Sequence, residues 1–150
     1  MSTRNIDFLI FLDDLSQHGL FETRSTMEPE LAARAAERAT AEDLSALRNA
    51  IFSMERSKTT RDRLNAGLAF HEAIFRASGN RICHLLFKGI DRTLLISMGR
   101  LSGRVSMDQL MFHKKIYAAI RERNQDGARS AMHEHIIDAR DLLGRSQTTP

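Results

Sequence analysis

Residues 63–78 read RLNAGLAFHEAIFRAS, and this stretch decides the fold that we expect for the chain. Steps of three and four residues along it give one stripe, formed by Leu64, Gly67, Leu68, His71, Ile74, Phe75 and Ser78. A mainly apolar stripe at this spacing predicts an amphipathic α-helix that packs on a core. His71 lies on the stripe, so its imidazole is predicted to point into the protein.

Two more histidines occupy the same kind of position further along the chain. His113 shares a stripe with Ile116, and His135 shares one with Ile136. A single inward histidine is more often a hydrogen-bonded core residue than a ligand. Three of them on separate helices favour one shared cation, because a buried imidazole costs desolvation energy unless it finds a polar partner.

The composition favours a single all-helical domain. The chain has 150 residues, 42% of them hydrophobic, which is enough for one compact core and too few for two. Two prolines, eight glycines and few β-branched residues favour helices almost throughout. We therefore predict an all-α fold, an antiparallel bundle of six or seven helices.

Charge and cysteine content limit the classes of function. The net charge of +3 comes from 22 basic and 19 acidic residues spread along the chain, which does not indicate nucleic-acid binding by this chain itself. The single cysteine, Cys83, excludes an internal disulfide and fits a reducing compartment. The apolar run at 8–12 is too short to span a bilayer, so we expect a cytoplasmic protein.

Local signals predict where the helices begin and end. A short helix over 5–17 should stop at Gly19, and a second helix over 20–38 should kink or restart at Pro29. The most apolar helix is predicted over 80–102. Further helix starts are predicted at Thr40, at Thr59 or Thr60, at Ser106 and at Asp126, and Gly79 should end the helix that carries His71.

Charged and polar residues on two of these stripes leave alternatives open. Arg24 interrupts a stripe that continues through Met27 or Glu28, and it either snorkels to solvent or faces an anion in the interior. On the helix over 80–102, polar residues continue one side of the stripe and form either an inward polar end or a solvated edge. They are Thr93, Ser97 and Arg100.

Taken together, several segments resemble the effector-binding C-terminal domain, or FCD domain, of the FadR subfamily of GntR-type bacterial transcription regulators. They are GLFETR at 19–24, MEPELA at 27–32, AERAT at 36–40, FHEAI at 70–74, ASGN at 77–80, HKKIYAAI at 113–120 and DGARSAMHEH at 126–135. The resemblance covers the chain from Gly19 to Leu143. Each motif is weak alone, but their order and spacing together are specific.

The resemblance implies a helical bundle with a central ligand cavity. Many members of the family hold a divalent cation there, often zinc or nickel, with an aspartate and three histidines, which His71, His113 and His135 match. A small organic acid reaches that metal and an early arginine, which Arg24 matches. The effector-binding residues that we predict are Arg24, Asn80, Thr93, Ser97 and Arg100.

The sequence departs from the family pattern in two places. Gly67 stands where the family has its aspartate, one turn before His71, so metal binding should be weakened. Nothing before Gly19 is long enough for a winged helix, so we expect contact with DNA only through a winged-helix domain absent from this chain. We expect one domain over 1–150, with an N-terminal helix over 1–18, a core over 19–143 and a tail over 144–150.

The function predicted from these observations is effector sensing, without enzymatic activity, in a regulator that forms homodimers and does not enter the membrane. One alternative is a metal-dependent hydrolase that uses the three histidines to activate water. Against it, Glu72 lies about 100° around the helix from His71 and is poorly placed as a general base. The other alternative is a structural dimerisation module with a sealed core.

Overall fold

The computed structural model describes the backbone of residues 14–99 and 107–147, and the side chains of 18–90, 109–142, 144 and 145. All the regular structure in these ranges is helical, which confirms the predicted all-α bundle. The six helices are α1 (Asp14–Arg38), α2 (Ala41–Arg56), α3 (Thr60–Ala77), α4 (Arg81–Gly99), α5 (Met107–Arg121) and α6 (Gln125–Gln147). None of the helices within the described ranges is both long and apolar enough to cross a membrane.

Side-chain caps fix the boundaries of α2 and α3. The Thr40 hydroxyl accepts a hydrogen bond from the backbone of Asp43, whose carboxylate accepts one from the backbone of Thr40. Thr59 caps α3 through the backbone N–H of Asp62. Gly79 follows α3 with φ of 74°, a conformation that glycine adopts without strain. These three boundary predictions are confirmed.

The predicted helix end at Gly19 is wrong, and so is a new helix start at Pro29. Helix α1 runs through both Gly19 and Pro29. Local propensity is overridden here because residues that follow each of these positions are buried in the core, among them Leu20, Phe21 and Leu31. The part of the predicted helix over 5–17 that precedes Asp14 lies outside the described residues.

The start of α6 also differs from the prediction. The Asn124 side chain, rather than that of Asp126, accepts a hydrogen bond from the backbone of Gly127 and caps the helix. Arg123, with φ of 60°, reverses the chain directly before it, so the cap falls two residues earlier than Asp126. Ser106, the predicted start of α5, lies outside the described residues.

Helix α1 is the centre of the bundle. It packs against α3, α5 and α6, while α2 packs on α3 and α5, and α4 packs on α3. The largest fully buried hydrophobic side chains fill the space between these helices, and they are Phe70, Phe87, Leu47, Ile74, Ile116, Ile120, Met132 and Ile136. Residues on the inner face of α1 can therefore meet residues from three other helices at once.

Candidate metal centre and anion site

The structure brings His71 of α3, His113 of α5 and His135 of α6 together in the core. They are 3%, 4% and 0% exposed, respectively. The ring centroid of His71 lies 5.4 Å from that of His113 and 5.1 Å from that of His135, and the latter two centroids are 4.5 Å apart. One potential ligand nitrogen from each ring lies within 4.8 Å of the others. Because zinc binds imidazole nitrogen at about 2.0–2.1 Å, these donors fit around one cation after small ring movements.

A buried carboxylate, which the sequence analysis did not select, joins this cluster from α1. Glu28 is 1% exposed. Its Oε1 accepts a hydrogen bond from Nε of Arg24 at 2.6 Å, and its Oε2 lies 2.5 Å from Nδ1 of His71. Arg24 is itself 3% exposed, so it does not snorkel to solvent, and the anion that it faces is Glu28.

The hydrogen bonds determine where the ring protons lie. A carboxylate accepts from Nδ1 of His71, and the carbonyl of Gln109 accepts from Nδ1 of His113 at 2.6 Å. When these two rings are neutral, each Nε2 therefore carries a lone pair. Nε2 of His71 lies 3.1 Å from Nε2 of His135, a separation that requires a proton between the two nitrogens or a cation beside both.

Some buried polar atoms in the cluster lack a hydrogen-bond partner. They include Nε2 of His113, Nδ1 of His135 and Nη1 of Arg24. Buried polar groups are normally paired, and leaving one unpaired costs about 1–3 kcal/mol. The donor set therefore fits a cation, which the imidazole nitrogens can bind, and an anion, which the guanidinium can bind.

Burial sets the ionisation of the cluster. Burial, with His71 adding to it, lowers the pKa of His113 from 6.5 to about 3. Burial, followed by His113 and His71, lowers the pKa of His135 well below its ordinary range. Burial alone raises the pKa of Glu28, but Arg24 and His71 outweigh it and lower that pKa from 4.5 to about 2. At neutral pH, His113 and His135 are therefore uncharged, as metal binding requires.

Comparison with known proteins identifies the family. The FCD domain matches residues 19–138. This chain belongs to the FCD family. The match confirms the resemblance drawn from the sequence motifs. The matched residues include most of the helical bundle described above.

Relatives of this FCD domain are transcription regulators. Over 114 residues, it is 32% identical to the galactonate operon transcriptional repressor of Escherichia coli K12, covering 73% of this chain and 50% of that protein. Over 139 residues, it is 30% identical to the HTH-type transcriptional regulator LutR of Bacillus subtilis 168, covering 87% of this chain and 63% of that protein. The chain thus spans between half and two thirds of these relatives.

A solved structure shows the same fold. Streptococcus agalactiae GntR superposes with a TM-score of 0.72 at 29% sequence identity, over 83% of this chain and 58% of that chain. The match to the FCD domain, the named relatives and the solved structure therefore all indicate the same family.

Gly67 leaves this FCD domain without a carboxylate one turn before His71. A Cβ added at Gly67 would have no atom within 4 Å, so the position has room for a side chain. Glu28 provides a negative charge close to His71, but both of its oxygens are engaged with Arg24 and His71. In the described residues, the group that can hold a metal consists of the three histidines alone.

The other predicted effector residues have different outcomes. Asn80 uses its side-chain oxygen to accept a hydrogen bond from the backbone of Cys83 at the start of α4. The side chains of Thr93, Ser97 and Arg100 lie outside the part of the chain that the structure describes.

Proposed function

We propose that this FCD domain is the effector-sensing part of a GntR-type transcription regulator and that it binds a small carboxylate together with a divalent cation. The observation that carries the proposal is the set of buried polar atoms without partners, on Arg24, His113 and His135. Because they lie in one cluster and differ in chemistry, an anion and a cation together would satisfy them.

His71, His113 and His135 would hold the cation. Neutral imidazole suits zinc and nickel, and three protein ligands leave coordination positions that water or an effector carboxylate can fill. Glu28 positions His71, because its hydrogen bond keeps the proton on Nδ1 and leaves the Nε2 lone pair for a metal. The absence of a carboxylate ligand at Gly67 weakens the site and leaves it more positive, which favours an anionic effector.

Arg24 would hold the effector carboxylate through Nη1 while its Nε remains bound to Glu28. Helix α1 packs against the three helices that carry the histidines. A ligand that bridges Arg24 and the metal therefore contacts all four helices and can shift the equilibrium between their packing arrangements. In a homodimeric cytoplasmic regulator, this shift would change how a winged-helix domain binds DNA.

The hydrolase alternative is not favoured, because the nearby carboxylates are already engaged. Both oxygens of Glu28 have partners within the cluster. Glu72 is bound to the ring of His84 through a hydrogen bond and to Lys88 through an ion pair. Neither carboxylate is left to act as a general base on a metal-bound water.

Calorimetric titration of small organic acids into zinc-loaded and metal-free protein tests the proposal. We expect saturable binding that is stronger with zinc and lost in Arg24→Gln. Arg34→Gln, an exposed substitution on the same helix, is the matched control and should bind as the unaltered protein does. If no acid binds with or without zinc, or if Arg24→Gln binds normally, the proposal fails.

A further inference from the structure

A cavity of about 160 Å³ opens beside Arg24, between α1, α3 and α4. Thr23, Arg24 and Glu28 form part of its wall. Most of the remaining wall is hydrocarbon from Met27, Phe75, Leu86, Phe87 and Ile90. Leu86 is 56% exposed, so this side of the cavity adjoins solvent and gives a ligand a way in.

Of the polar residues in this wall, Thr23 is exposed to solvent, and the buried pair formed by Arg24 and Glu28 leaves one donor for a ligand. Arg24 has an unpartnered donor at Nη1, which suits a carboxylate. Glu28 has no free oxygen, because one accepts from Arg24 and the other is bound to His71. Hydroxyl groups placed along the hydrocarbon wall would lose their bonds to water without gaining others, which lowers affinity.

We propose that the cavity binds the hydrocarbon chain of a short aliphatic carboxylic acid whose carboxylate contacts Arg24. The domain then selects such acids over polyhydroxylated acids of the same length. This proposal rests on the proposed function, because it assumes that Arg24 holds the effector carboxylate. At about 30 Å³ per water-sized group, the volume accommodates roughly five non-hydrogen atoms.

The length of the acid gives a quantitative test. Each methylene that enters an apolar cavity should raise affinity by about fourfold. In calorimetric titrations of the zinc-loaded chain, affinity should therefore rise from acetate through butyrate to hexanoate and then level off at octanoate. Gluconate, which has six carbons like hexanoate but carries hydroxyl groups, should bind at least tenfold more weakly than hexanoate.

Two substitutions on α4 show whether the chain occupies this cavity. Leu86→Trp narrows it, and Leu85→Trp alters a neighbouring residue that is 65% exposed and does not line it. Both sites are exposed, so folding should survive. We expect Leu86→Trp to lower hexanoate affinity at least tenfold with little effect on acetate, and Leu85→Trp to change neither.

The possible outcomes separate this proposal from the proposed function. Gluconate binding as tightly as hexanoate, or Leu86→Trp and Leu85→Trp having equal effects, would overturn the apolar cavity while leaving effector sensing intact. If hexanoate does not bind, the apolar cavity proposal is wrong, and if no small organic acid binds at all, the proposed function is wrong as well.

Discussion

The buried polar cluster has two halves that differ in how their hydrogen bonds are satisfied. On the side of α1 and α3, Glu28 joins Arg24 to His71 through short hydrogen bonds. On the side of α5 and α6, Nε2 of His113 and Nδ1 of His135 have no partner. In the first half, the fold itself supplies a partner for both oxygens of Glu28 and leaves Nη1 of Arg24 unpaired, whereas in the second half a nitrogen of each histidine is left for a ligand. The difference indicates a site whose scaffold exists before the ligand arrives.

Removing Glu28, which joins Arg24 to His71, should change the free energy of unfolding the most. Glu28→Ala leaves the Arg24 guanidinium buried without its counter-ion, which should lower the free energy of unfolding by about 3–5 kcal/mol. Urea denaturation of the metal-free protein measures this change. The control is Glu30→Ala, which lies on α1 like Glu28 and removes an exposed ion pair with Arg129 of α6. It should have little effect on the free energy of unfolding. Equal effects of the two substitutions would contradict the distinct role of Glu28.

Replacing one histidine in each half should separate stability from metal binding. His71→Leu deprives Glu28 of a partner and should cost about 1–3 kcal/mol in the metal-free protein. His135→Leu removes the unpaired Nδ1 together with the Nε2 that lies 3.1 Å from Nε2 of His71, so it should cost less stability than His71→Leu does.

Thermal unfolding checks the stabilities, and zinc titration checks the metal site. Both leucine variants should lose zinc binding, because each removes one of three ligands. The contrast between the halves is wrong if His135→Leu destabilises the metal-free protein as much as His71→Leu does.

The features that could be predicted from the sequence are those that depend on local signals. Thr40, Thr59 and Gly79 mark helix boundaries through contacts a few residues away, and the stripe periodicity placed His71 on a buried face. Glu28 was not selected, because a glutamate on a helix is usually solvated and its bond to His71 spans 43 residues. Its position four residues after Arg24, on the same stripe, was the signal that could have found it.

Acidification should destabilise the metal-free protein in two phases, first through His113 and His135 and then, at lower pH, through Glu28. Because burial lowers the pKa of His113 to about 3, the unfolded chain gains protons below pH 6.5 that the folded chain does not. His135 behaves in the same sense. Stability should therefore fall as pH drops from 6.5, by up to about 1.4 kcal/mol per pH unit for each histidine.

Glu28 should contribute only at lower pH. Its pKa is lowered to about 2, so its stabilising effect is complete above pH 4.5 and is lost as pH falls from 4.5 to 2. Urea denaturation at a series of pH values measures both phases. The His135→Leu variant should show a smaller slope above pH 4.5, and a flat profile between pH 6.5 and 4.5 in the unaltered protein would contradict the assignment.

The smallest effect is expected at Gly67. Gly67→Ala should stabilise α3 by about 0.5–1 kcal/mol, since the position lies inside a helix and has room for a side chain. Gly67→Asp places a carboxylate one turn before His71 and should bind zinc more tightly than Gly67→Ala, which serves as its matched control. Equal zinc affinities in calorimetry would show that this position does not face the site.

Calorimetric titration of zinc into the metal-stripped protein tests most directly whether the three histidines bind a cation. We predict saturable binding of one ion per chain, abolished by His113→Leu. Absence of saturable binding, or an unchanged affinity in His113→Leu, would contradict the assignment of the three histidines as a metal centre.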